Sequence, residues 1–314
     1  MVAAAIAPGR SVRVRVPATS ANLGPGFDSL GLALNAYNSL TATASAEPGV
    51  RVDVRGSGAG QVPTDETNLI AASLLRVFEE HGIPAPGLDL ITDNGIPHGR
   101  GMGSSAAAIV AGVLAAKGLL SGIVELDVDD VLRIATEIEG HPDNVAPAIV
   151  GGLTIAWTDA AGPRVQRMNV HRGVSVLLAV PSRELATHVA RGLQPAQVPH
   201  EDAVFNVARA ALLIAALTQN PEHLMAATDD RLHQGYRAPA MPETAALVRS
   251  LRDAGNAAVV SGAGPSVLVL CSDPQQRLRA AELVAGHDGG WESHLVAVDI
   301  VGGTVEELFG SEGL

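Results

Sequence analysis

Cysteine and lysine each occur once in this chain, as Cys271 and Lys117, and aromatic side chains make up only 3% of it. A single cysteine excludes an internal disulfide and a cysteine-based zinc site. Its apolar neighbours, Val267-Leu268-Val269-Leu270, point to a buried strand thiol rather than a nucleophile. With one lysine among 21 basic residues, the other 20 are arginines. Any side-chain grip on phosphate or carboxylate therefore comes mainly from guanidinium groups, which hold such anions bidentately. The net charge of −12 argues against nucleic acid or an anionic membrane as a main partner. It leaves room for ATP, because a local basic site can sit in an acidic protein. The longest apolar run, Ser104 to Val124, is built of Ala and Gly and carries Lys117, so it reads as a buried helix and not a membrane span. Met1 to Gly9 has no basic segment ahead of its Ala-rich run and does not read as a signal peptide. The expectation is a soluble, cytoplasmic protein.

What is present is enough apolar content for a real core: 47% of 314 residues, with 17% charged. That length suits one large or two ordinary domains. Val12 to Val16 alternates strictly and predicts a strand. Further strands are expected near Leu40–Ala44, Val50–Arg55, Leu88–Thr92, Ile149–Trp157, Val174–Pro181, Val267–Cys271 and Leu295–Ile300. Helices are expected over Thr67–His81 with Asp65 as its N-cap, from Ser104, over Asp129–Glu139, Ala203–Thr218, Pro221–Leu232, Glu243–Ala254 and Pro274–Ala285. Thr187–Gly192 reads as a turn or short helix, and Gly140–Asn144 as a break. The boundary is expected near Thr158–Pro163, dividing the chain into 1–158 and 159–314.

Three loops rich in Gly, Ser and Asn sit between these elements: Pro17–Asp28, Pro97–Ser105 and Ser261–Ser266. In the second, Pro97-His98-Gly99-Arg100-Gly101-Met102-Gly103-Ser104-Ser105-Ala106, glycines alternate and a helical run follows at once. Glycine allows positive φ and a close approach of the backbone to a ligand, and a helix N-terminus behind it offers free N–H groups. This is a seat for polyphosphate. It is not a Walker A loop, because no Lys-Ser/Thr closes it. It is not a dinucleotide fingerprint either, since Ser104 stands where the third glycine belongs.

Taken together, the set resembles the GHMP small-molecule kinase superfamily, and within it the homoserine branch. The likeness rests on Val16-Pro17-Ala18-Thr19-Ser20-Ala21-Asn22-Leu23-Gly24-Pro25-Gly26-Phe27-Asp28, on Gly101-Met102-Gly103-Ser104-Ser105-Ala106-Ala107, on His141-Pro142-Asp143-Asn144-Val145-Ala146-Pro147 and on Ser261-Gly262-Ala263-Gly264-Pro265-Ser266. It implies an α+β, two-domain fold with the active site in the cleft. The N-terminal domain would be like domain 2 of ribosomal protein S5, with a left-handed βαβ crossover that general rules do not predict. The C-terminal domain would be ferredoxin-like.

The resemblance also implies the chemistry: ATP with Mg²⁺ phosphorylates the hydroxyl of L-homoserine to O-phospho-L-homoserine, a step toward threonine. Pro97, Gly99, Arg100, Gly101, Met102, Gly103, Ser104, Ser105 and Ala106 would line the phosphates, with Asn68 on the adenine side. Ser105 and Glu137 would reach Mg²⁺. Glu139 lies two residues on and roughly opposite on a helix, so the two cannot serve equally, and the sequence alone leaves the choice between them open. Asp28 would pair with the substrate ammonium, and Asn22 would bond the ammonium or hydroxyl. Arg191 and Arg237 would clamp the carboxylate, and His141 would line the pocket. Asn144 stands where mevalonate and galactose members have an Asp, and an amide is no general base at neutral pH. Catalysis by positioning and electrostatics is therefore expected, with Asp143 as the base in the contrary case. A homodimer is what the family suggests. The rival readings are another GHMP kinase of the mevalonate type, a non-catalytic ligand sensor on the same fold, and, more weakly, a dinucleotide-binding oxidoreductase.

Overall fold

The computed structural model describes residues 6–185 and 187–308. The first half contains β1 (Ser11–Ala21), β2 (Leu30–Ser45), β3 (Val50–Gly56), α1 (Leu69–Glu80), β4 (Gly87–Asn94), α2 (Ser104–Leu119), α3 (Val128–Glu139), α4 (Pro142–Val150), β5 (Leu153–Asp159) and β6 (Gly162–Met168). The second contains β7 (Ser175–Pro181), α5 (Thr187–Gly192), α6 (His200–Thr218), α7 (Leu224–Ala227), α8 (Gln234–Arg237), α9 (Pro242–Asp253), β8 (Ala257–Val260), β9 (Val267–Cys271), α10 (Pro274–Ala285), β10 (Trp291–Val296) and β11 (Thr304–Leu308).

Val12, Val14 and Val16 are wholly buried while Arg13 and Arg15 face outward, the period-two alternation of a half-buried strand. The β1–β2 ladder shifts register between Pro17 and Ala18, so the proline, which has no N–H to donate, sits at an irregularity. The first sheet runs β11-β1-β2-β4-β3, with β5 added to β2 and β6 to β5. Among the described residues only β3 and β4 pair in parallel, and α1 connects them. Helix α2 packs against α1, α3, α4 and β1. That encirclement explains why α2 is apolar all round rather than striped.

The second sheet has order β10-β7-β9-β8, with every pair antiparallel. Counted along the chain, this is 4-1-3-2 with helices between, the ferredoxin-like arrangement. Leu177, Ala179, Val267, Val269 and Cys271 face α9 and α10. The alternate residues Val176, Leu178, Leu268 and Leu270 join the main core on the other face. The two halves therefore share one apolar interior, and the loops that carry the site meet along their junction.

Several elements differ from the sequence reading. The division expected at 158/159 falls inside the β5–β6 hairpin, and β11 returns from the far end of the chain to flank β1. Helix α1 is capped by Asn68, not Asp65: its side chain accepts from the Ile70 N–H. Pro142-Asp143-Asn144 opens α4, because proline at the first helical position lacks only an N–H that would be unpaired anyway. The strand expected from Ile149 accordingly begins at Leu153. The helix expected over Pro221–Leu232 stops at Ala227, where Asp230 draws the backbone away by accepting from the N–H groups of Leu232, His233 and Gln234. The last predicted strand lies earlier, at Trp291–Val296.

Candidate active site

Gly99, Gly101 and Gly103 all adopt positive φ, at 62°, 72° and 69°. A Cβ on Gly101 would lie 2.3 Å from the Ser261 carbonyl oxygen, and one on Gly103 would lie 1.9 Å from Thr19 Oγ1. The second loop is thus pressed between the other two, and only glycine fits. The Thr19 N–H donates to the Met102 carbonyl at 3.0 Å, and the Gly262 N–H to the Ala21 carbonyl at 3.1 Å. The Ser261 hydroxyl bonds the Gly101 carbonyl at 2.6 Å. Behind the loop, Gly103 is the N-cap of α2 and no side chain caps that helix. Its first-turn N–H groups are therefore available to an anion.

Beside the α2 N-terminus lies a cavity of about 330 Å³ lined by Pro63, Asn68, Leu69, Ile70, Ser104 and Ala108, among others. Asn68 borders it, but both ends of its amide are engaged, with the Ile70 N–H and the Pro63 carbonyl. Thr92 and Asn94 line the same cavity, and their buried Oγ1 and Oδ1 have no partner among the described residues. Burial lowers the pKa of His98, on the same wall, against the pull of Glu184. Arg100 does not turn to the phosphate side. It bonds the Pro181 carbonyl and pairs with Glu184 at 3.7 Å, fastening the loop to the second half. Met102 is buried beneath the loop.

Glu137 also departs from expectation. It pairs with Arg133 at 3.0 Å and Arg76 at 3.7 Å in a surface network across α1 and α3. Glu139, at the end of the same helix, accepts from the Ser105 hydroxyl at 2.8 Å. Residues two apart on a helix face different ways, so only one glutamate reaches the loop. Burial raises the Glu139 pKa, the Ser105 bond and His141 opposing it. A half-buried carboxylate beside a serine hydroxyl suits Mg²⁺, which takes few protein ligands when phosphates supply the rest. Among the described residues no group of three or more His, Cys, Asp or Glu forms a metal cage.

On the acceptor side, Asp28 and Arg191 form a two-pronged ion pair, Nη2–Oδ1 at 2.9 Å and Nη1–Oδ2 at 3.5 Å. Arg237 is fully buried, with its guanidinium 5.1 Å from the Phe27 ring centre and Nη1 donating to the Gly262 carbonyl at 3.3 Å. Burial lowers its pKa first, and the charge of Arg191 lowers it further. The charges of Asp28, Asp230 and Asp143 oppose that shift, and the guanidinium groups of Arg191 and Arg237 offer donors to an anionic group. Asn22 is engaged at both ends of its amide, donating to the Gly262 carbonyl and accepting from the Asp28 N–H, each at 2.9 Å. It shapes the loop that presents Asp28 more than it offers itself to a ligand. The backbone there is strained, with Asn22, Leu23 and Asp28 all at positive φ.

His141 Nδ1 lies 2.5 Å from Asp143 Oδ1. Burial pushes the His141 pKa down, but the bond and charge of Asp143 outweigh it and the net shift is upward. Asn144 stands at the third position of α4, its Oδ1 accepting from the Thr19 hydroxyl at 2.9 Å.

The family model for the GHMP kinases N terminal domain matches residues 68–152, and that for the GHMP kinases C terminal matches residues 209–285. The homoserine kinase of Clavibacter michiganensis subsp. michiganensis is 64% identical over 303 residues, covering 96% of this chain and 96% of that protein. That of Leifsonia xyli subsp. xyli is 61% identical over 301 residues, covering 96% and 93%. The chain belongs to the homoserine kinase family. A crystal structure of the homoserine kinase from Cytophaga hutchinsonii superimposes with a TM-score of 0.84 at 29% identity, covering 94% of this chain and 97% of the other. The family's two-domain α+β architecture is thus the one seen here.

Against this homoserine kinase framework, the sequence reading missed four contributors. Thr19 and His233 act through partners far away in the chain, Asn144 and Gly24, which local pattern does not encode. Thr92 and Asn94 lie at the end of an ordinary strand, with no motif to mark them. Glu139 was visible beside Glu137, and the helical phase of α3 against the loop decides between them.

Proposed function

We propose that the protein transfers the γ-phosphoryl group of ATP to the side-chain hydroxyl of L-homoserine, giving ADP and O-phospho-L-homoserine. The Arg191–Asp28 pair beside buried Arg237 carries this reading. An α-amino acid exchanges into that pair, its carboxylate on the arginines and its ammonium on Asp28. A neutral sugar makes no use of it.

The loop N–H groups at the α2 terminus receive the β- and γ-phosphates, and the neighbouring cavity receives the base. Ser105 and Glu139 would hold Mg²⁺. When bound, the ion supplies positive charge to the phosphate oxygens. Asn144 is half-buried at the junction of the two subsites. As an amide it orients the acceptor hydroxyl and takes no proton. Asp143 is buried and engaged with His141, which leaves it poorly disposed to act as a base. Phosphoryl transfer through a loose transition state needs in-line positioning and charge stabilisation more than a strong base. The hydroxyl proton then leaves to a phosphate oxygen or to solvent. The same reading takes the protein as a cytoplasmic homodimer; among the described residues no helix is long and apolar enough to cross a membrane.

The test is ADP release from ATP–Mg²⁺ with L-homoserine, mevalonate, galactose and shikimate. Release with L-homoserine alone supports the reading. Release with another acceptor overturns the acceptor pocket, and silence with ATP still bound favours a sensor.

A further inference from the structure

Thr19 is wholly buried in β1, at the point where the phosphate loop and α4 meet. It makes three connections there. Its N–H donates to the Met102 carbonyl at 3.0 Å. Its side chain lies so close to Gly103 that no Cβ fits between them. Its hydroxyl donates to Asn144 Oδ1 at 2.9 Å, across 125 residues of sequence.

The third contact sets which end of the Asn144 amide is free. Among the described residues the Thr19 hydroxyl has no other hydrogen-bond partner, so a reversed amide would leave its proton unpaired; the bond therefore favours the carbonyl end against β1 and the NH₂ end outward. An amide side chain has two nearly isosteric ends with opposite hydrogen-bonding character, so something must choose between them. We infer that Thr19 is a positioning residue for phosphoryl transfer, holding Asn144 so that its NH₂ donors, not its carbonyl, face the acceptor hydroxyl and the incoming phosphoryl oxygens. Donors at that place favour an oxygen whose lone pair is free to attack, and they stabilise negative charge as it develops. With the carbonyl there instead, the amide would repel the phosphoryl oxygens. The inference rests on the homoserine kinase reading of the site.

The experiment compares Thr19→Val, Thr19→Ser and Asn144→Ala in the wild-type protein, and combines Thr19→Val with Asn144→Ala. Valine keeps the shape of threonine and removes the hydroxyl, and serine keeps the hydroxyl. Steady-state ADP release with ATP–Mg²⁺ and L-homoserine gives kcat and KM, and thermal melting monitors the fold. Wild-type turnover of L-homoserine is measured first, and its absence would count against the functional reading rather than against Thr19. Thr19→Val is expected to lower kcat about 10- to 100-fold with both KM values within about twofold, less than the roughly 100- to 1,000-fold of losing an oriented donor outright, because Asn144 itself remains. Thr19→Ser is expected to stay within about threefold of wild type. In the Asn144→Ala background, Thr19→Val should change kcat by less than about twofold, because the group it orients is gone. Equal losses in both backgrounds would overturn the inference, as would a Thr19→Val enzyme with unchanged kcat. If the valine variant does not fold, the serine variant decides: a kcat loss of tenfold or more with the hydroxyl retained would equally overturn it.

Discussion

Replacing Asp28 with Asn probes the acceptor pocket most directly. The two side chains are nearly isosteric, and Asn tolerates the left-handed backbone that Asp28 occupies at φ 53°, so the loop keeps its shape. In the free protein the change removes the Arg191–Asp28 pair. Both side chains are 38% exposed, so solvent screening holds that pair to about 0.2–1 kcal/mol. The melting temperature should therefore fall by no more than about 2–4 °C. With an amino acid seated between them, the same groups lose water and each meets an opposite charge. A hydrogen bond to a charged group contributes about 1.5–3 kcal/mol. At about 1.4 kcal/mol per decade, kcat/KM for L-homoserine should fall about 10- to 150-fold. Preference should change as well. γ-Hydroxybutyrate carries the hydroxyl and the carboxylate without the ammonium. In the wild type it must part Arg191 from Asp28 and leave the aspartate unmatched. In Asp28→Asn it meets neither cost, so its kcat/KM should hold or rise. Coupled ADP-release assays with both acceptors, alongside thermal melts, measure all of this. Equal falls for the two acceptors, or a homoserine kcat/KM within about twofold of wild type, would refute the pairing logic.

Three further outcomes are expected. Glu139→Gln should cost about 100-fold or more in kcat/KM and raise the Mg²⁺ concentration needed for half-maximal rate, whereas Glu137→Gln, in its exposed arginine network, should stay within about threefold; parallel Mg²⁺ titrations compare them. Gly103→Ala should abolish ATP binding and destabilise the fold by about 1–3 kcal/mol, because the new Cβ meets the Thr19 hydroxyl in a left-handed backbone, and calorimetry with an ATP analogue together with urea melts would reveal otherwise. Burial pushes the Cys271 thiol up to about 12, so at pH 8 it is protonated and should react with a thiol reagent only as the protein unfolds; rapid labelling of the native protein would contradict its burial.

Much of this architecture was legible in the sequence because it depends on local pattern. Strict alternation marked β1, and the glycine spacing marked a loop that closes over a helix terminus. The residues proposed for the acceptor lie within short motifs, and Asp28 pairs with Arg191 close to Arg237 and His141. What stayed hidden depends on direction and on distant partners. The turn of α3 decides between Glu137 and Glu139, and neither residue carries that information itself. Arg100 looked like a phosphate ligand because it stands between two glycines, yet the second half of the chain captures it. Asn22 and Asn68 lie where expected, but their amides are absorbed in holding backbone. Pro142 was read as a stop because proline both ends and begins helices, and only the conformation of residues 143–150 distinguishes the two roles.

The return of β11 to the side of β1 bears on how the protein is made. During synthesis β1 emerges almost 300 residues before its partner on that side. Until residues 304–308 leave the ribosome, β1 presents an open row of N–H and C=O groups along Ser11–Arg15, the kind of edge that recruits foreign strands. The outward Arg13 and Arg15 place two like charges on that edge and act as guards while it waits. In the finished molecule the polypeptide crosses between the halves twice, once after β6 and once after β10. The second crossing is itself tied to β2 by the Leu34–Val298 bridge, so two covalent crossings and one shared apolar interior bind the halves together.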